Sequence, residues 1–138
     1  MFTEMISDTN FKASADVCPK EFKAVKTQIR YAVLSLCNLS RVNMTIAKLS
    51  NSWTKKDIEA IVNADTISLD HDQLMVLRKV QLEQAFEADI KKAVKKINEL
   101  NKAYEKKSGK FILPYAPNRD AIMFEEMKNF CLKEYKYA

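Results

Sequence analysis

An all-α fold, a single-domain helical bundle of four to five helices built around one long helix, follows from three features of the sequence. Glycine occurs once, at Gly109. Residues 70–108 contain neither proline nor glycine and lie between a strong helix start and a strong helix stop. Within that stretch Phe86, Ile90, Ala93, Ile97, Leu100 and Tyr104 recur at alternating steps of four and three, which stacks them on one stripe of a helix. Tight hairpin turns lean on glycine, so its near absence also argues against a hairpin-rich sheet.

The length, 138 residues, is that of one domain, and residues 1–138 read as a single all-α unit. Residues 1–18 read as an N-terminal arm. Phe2, Met5, Ile6 and Phe11 are apolar enough to dock on a core, whereas Ser7, Asp8, Thr9 and Asn10 interrupt a helix. Pro19 suits a first helical position, where its missing N–H costs nothing. Phe22, Val25, Ile29, Ala32, Leu36 and Leu39 then form a helical stripe. Its phase slips near Asn38, Ser40 and Asn43, whose side chains compete for backbone hydrogen bonds. One bent helix, or two helices broken within 38–43, is expected.

Thr54 with Asp57 three residues on predicts a capped short helix, and Trp53 with Ile58 supplies a hydrophobic staple. Asp70 and Gln73 repeat the capping signal for the long helix, with Leu69 and Leu74 as staple. Gly109 is placed where a helix ends in a left-handed residue. Pro114 and Pro117 hold the apolar segment 111–117 in extended geometry, so it reads as a strap laid across the bundle. Asn118 is the expected cap of a last helix bearing Phe124, Met127, Cys131 and Tyr135 on one stripe.

The same composition removes whole classes of chemistry. A phosphate-cradling loop or dinucleotide-binding turn needs glycines that this chain lacks. Cys18, Cys37 and Cys131 are odd in number and widely spaced, which predicts free thiols in a reducing cytoplasm and no metal site. His71 is the one histidine and falls in the first turn of the long helix, where solvation explains it. Glu83, Glu87 and Asp89 form an acidic group without a nucleophile–base pair beside it. A non-enzymatic protein without catalytic residues, metal or cofactor is therefore expected. No run of 18 apolar residues occurs, so no spanning segment and no membrane partner are expected.

Net charge is +5, and only Arg30, Arg41, Arg78 and Arg119 of its 23 basic residues are arginine. That lysine bias, with many asparagines, is the composition of AT-rich coding sequence, a phage or virus among the candidate sources. Residues 91–110 set eight lysines against Glu99 and Glu105. Base late in the helix complements its dipole, and Glu87 with Lys91 makes a favourable pair one turn apart. The seam supports fewer than three clean heptads, too few for a coiled coil. A helix-turn-helix over 45–62 is disfavoured because Lys55, Lys56 and Glu59 are poor base readers.

The functional expectation is a small regulatory or adaptor protein that binds another protein or itself. Its partner-binding residues are expected among Leu74, Met75, Leu77, Val80 and Leu82, which nearly encircle the helix, and Phe111, Ile112 and Tyr115 on the strap. The alternative is sequence-independent nucleic-acid binding through Lys91, Lys92, Lys95, Lys96, Lys102 and Lys106.

Overall fold

A computed structural model describes residues 2–49 and 52–134. The described residues form six α-helices and one 3-10 turn, and no strand. The helices are α1 (Phe2–Ile6), α2 (Thr9–Val17), α3 (Pro19–Ala47), α4 (Lys55–Asn63), α5 (His71–Ser108) and α6 (Arg119–Glu134). At 1.5 Å per residue, α5 is about 57 Å long. The all-α expectation holds, with α5 as its spine.

The helix ends follow the capping signals. The Thr54 hydroxyl accepts from the Asp57 N–H while the Asp57 carboxylate accepts from the Thr54 N–H. Asp70 and Gln73 make the same reciprocal pair at the start of α5. Each pair satisfies two backbone donors that a helix start leaves open. Gly109 adopts φ 72°, and its N–H closes on the Glu105 carbonyl at 2.8 Å. An L side chain at that angle is strained, so glycine is required there for conformation, not for space.

One expectation is narrowed to one of its two alternatives, and another is corrected. Residues 38–43 do not break the chain into two helices: α3 runs continuously to Ala47. Leu36, Leu39 and Val42 are buried on either side of the phase slip, and their packing outweighs the local competition from Asn38, Ser40 and Asn43. Residues 1–18 do more than form an arm. Ser7 and Asp8 separate two helices, with the Asp8 carboxylate capping α2 at the Asn10 N–H. Ser7 and Asp8 thus interrupt the helix as expected, and Asp8 also starts the next one.

α3 and α5 pack along each other as the longest contact of the fold, with α6 and α4 against α5 and α1 against α6. Ser35 of α3 donates to the Asp89 carboxylate of α5 at 2.9 Å. The central cluster draws on nearly every element: Phe2, Val25, Leu36, Ile90, Ile97, Leu100, Met123 and Met127 are all buried in it. Four further buried residues, Leu39, Val42, Ile61 and Val76, lie outside that cluster, towards α4. Tyr135 of the expected last stripe falls outside the described residues.

The Phe2 ring meets Phe130 edge-on, with centroids 5.4 Å apart. The Phe2 N–H donates to the Glu126 carboxylate, which holds that carboxyl below its ordinary value of 4.5. A depressed carboxyl stabilises the folded state above pH 4.5, and that contribution disappears as pH falls through the lower, folded value. Acid titration is therefore expected to weaken the α1–α6 contact. Proteolysis within residues 2–8 should rise on acidification, and Glu126→Gln should flatten that dependence.

Candidate interaction surface

The strap is where sequence and structure meet most informatively. Asn101 sits on the inward side of α5 and is 6% exposed. Its carboxamide oxygen accepts from the N–H of Ile112 at 2.8 Å and of Leu113 at 3.2 Å, and its nitrogen donates to the Leu113 carbonyl at 3.3 Å. One side chain thus pairs with the strap backbone as a neighbouring strand would. Asn10 adds a second tie, donating to the Phe111 carbonyl at 2.9 Å, and Tyr104 donates to Asn10 at 3.4 Å. Arg119 bridges the far side, donating to Pro114 at 3.4 Å and to Asn98 at 2.8 Å.

These ties decide which strap residues face outward. Ile112 and Leu113 belong to the core, so the expectation that Ile112 contributes to a docking surface fails on burial. Phe111 and Tyr115 remain 53% and 85% exposed on either side of the pinned pair. Asn101 was invisible to periodicity arguments because an asparagine on a helix reads as a polar surface position. The usable signal was its place beside the Ile97–Leu100–Tyr104 stripe, where a polar residue demands a partner.

The other expected patch disperses. Along α5, Leu74, Met75, Leu77, Val80 and Leu82 point in directions spread around the axis, as their 100° steps require. Met75, Leu77, Val80 and Leu82 are half-buried, and Leu74 alone of the five is exposed.

On the lysine face, Lys91, Lys92, Lys95, Lys102 and Lys106 are exposed. Lys96 is half-buried and lies 3.4 Å from Glu99, and Lys107 reaches the Val17 carbonyl at the end of α2. The Glu87 carboxylate pairs with Lys128 of α6 at 2.9 Å, across the bundle and not along the helix to Lys91. Lys91 and Lys95 edge an open groove of about 510 Å³ between α5 and α6, floored by Val94 and Phe124.

Among the described residues, no three His, Cys, Asp or Glu side chains converge as metal ligands would. Asp89 serves α3 through Ser35, and Glu83 lies 3.9 Å from Lys79, so the acidic group of α5 is engaged in structure. Cys18 and Cys131 are buried, and burial pushes the Cys131 thiol up to about 11. Cys37 is exposed. A thiol reagent near neutral pH is expected to label Cys37 quickly and the other two only on unfolding. Fast labelling of two or more thiols in the folded chain would contradict this arrangement.

Comparison with protein-family models, curated proteins and solved structures finds no match to this chain.

Proposed function

We propose that the chain is a non-enzymatic interaction protein, a small regulator or adaptor that binds another protein or a second copy of itself through the strap. The observation that supports this reading is the pinned backbone between two exposed aromatic rings. Exposed aromatics on a mobile loop lose much of their contact energy to ordering. Phe111 and Tyr115 flank backbone already fixed by Asn101 and Asn10, which lowers that cost. Aromatic side chains on a fixed frame are also the usual anchors of protein interfaces.

Sedimentation over a range of concentrations, and capture from a lysate of the source cells, test the reading. A dimer or stable partner lost on Phe111→Ser with Tyr115→Ser supports it. A persistent monomer that captures nothing counts against it, as does a partner indifferent to both changes.

Sequence-independent binding of nucleic acid is the second reading, supported by six exposed lysines on one long helix. It predicts oligonucleotide binding that weakens steeply with salt and disappears when Lys91, Lys95, Lys102 and Lys106 become glutamate. No binding at low salt eliminates it.

A further inference from the structure

The outward side of α3 carries a second basic surface, and it differs in kind from the lysine face of α5. No aspartate or glutamate occurs between Glu21 and Asp57. In that interval lie Lys23, Lys26, Arg30, Arg41, Lys48, Lys55 and Lys56, a net of +7 in a chain whose total is +5. The remainder of the chain therefore sums to −2, although residues 91–110 carry a net +6 of their own. Arg30, Leu34, Cys37, Arg41 and Met44 follow steps of four and three along the helix, and Lys48 extends the line at its C-terminal cap. All six are exposed, Leu34 and Met44 at 58% and 60%. Lys23 and Lys26 extend the line backwards, giving a ridge of about 38 Å along the helix. The opposite side of α3 is buried through Val25, Ala32, Leu36 and Leu39.

We infer that this ridge docks on an anionic lipid surface, with α3 lying in the plane of the headgroups. The alternation of cations with exposed apolar side chains selects this occupant. Against a partner helix, Arg30, Arg41 and Lys48 would sit at seam positions and be desolvated, which is unfavourable unless each finds its own paired carboxylate. Against a phosphate backbone the cations are satisfied, but Leu34 and Met44 gain nothing. At a bilayer surface the cations stay hydrated among lipid phosphates while Leu34 and Met44 reach the acyl boundary below.

No helix among the described residues is long and apolar enough to cross a membrane, and a surface contact requires none. The expectation of no membrane partner rested on the lack of a spanning segment, and the inferred surface contact departs from it. This docking involves a different face from the strap and stands or falls separately from the proposed protein partner.

Co-sedimentation with vesicles of phosphatidylcholine, with and without phosphatidylserine, tests the inference on the full chain. The parent is expected to pellet with the anionic vesicles, less so as salt rises, and to ignore pure phosphatidylcholine. Arg30→Glu with Arg41→Glu should reduce binding by about tenfold or more. Leu34→Ser with Met44→Ser should weaken binding several-fold while leaving its salt dependence in place. Lys91→Glu with Lys95→Glu makes the same change of charge on α5 and should leave most binding intact. All these side chains are exposed, and a thermal melt by circular dichroism verifies that each variant is folded.

Four results overturn the inference. The parent fails to pellet with anionic vesicles at low salt. The α5 variant loses as much as the α3 variant, making the attraction one of total charge. The Leu34/Met44 variant binds as well as the parent, removing the apolar component. Oligonucleotides displace the chain from vesicles through the same α3 residues, making the ridge a phosphate-backbone reader.

Discussion

Replacing Asn101 with leucine is expected to lower unfolding stability by about 3 kcal/mol, because buried backbone donors left without an acceptor cost about 1–3 kcal/mol each. Two such donors, the N–H groups of Ile112 and Leu113, converge on the Asn101 oxygen. Leucine is a good helix former, so the substitution leaves the preference of α5 for helix undisturbed. Chemical denaturation supplies the stability, and limited proteolysis within 111–117 reports whether the strap has lifted. Asn101→Asp keeps the two accepted bonds but loses the donor to Leu113 and buries a charge, so it should also destabilise. If Asn101→Leu is as stable and as protease-resistant as the parent, the strap is held by its apolar contacts and the carboxamide is incidental. In that event Phe111 and Tyr115 are not held on a rigid frame by the carboxamide.

Phe2→Ala should cost about 3–5 kcal/mol, the range for truncating a buried phenylalanine. The ring is 1% exposed and packs against Phe130. Phe111→Ala provides the contrast. It removes the same atoms from an exposed position and should stay within about 0.5 kcal/mol of the parent. The pair separates core membership from hydrophobicity. Should Phe2→Ala cost no more than Phe111→Ala, α1 is an appendage and not part of the cooperative core.

The spine helix was legible because its signals act over short range. A capping box needs residues three apart, a left-handed stop needs one glycine, and the Phe86–Tyr104 stripe needs only regular spacing. The continuity of α3 was less legible, since local competition at Asn38, Ser40 and Asn43 is visible in sequence while the burial of Leu36, Leu39 and Val42 is not. The N-terminal helices depend on contacts such as Phe2 with Phe130 and Phe2 with Glu126, more than 120 positions apart. No local pattern announces a contact of that range. The strap was found from its prolines and apolar residues, but which of them face outward was set by Asn101 and Asn10, each carrying out a tertiary task with an ordinary surface residue.

The separation of Leu39, Val42, Ile61 and Val76 from the central cluster bears on how the molecule opens. α3 and α5 are each continuous, yet α5 passes from a densely buried C-terminal half into a thinly buried N-terminal one, where α4 contributes only Ile61. A helix can fray from one end without melting at the other, so amide protection should fall along α5 from Tyr104 towards His71 in graded steps. Isotope exchange would then register α4 first, followed by the first turns of α5 and the last turns of α3, with the amides around Ile97 exchanging only on global unfolding. The protein would behave as a stable block bearing a softer projection, two units of unequal free energy sharing the same pair of helices.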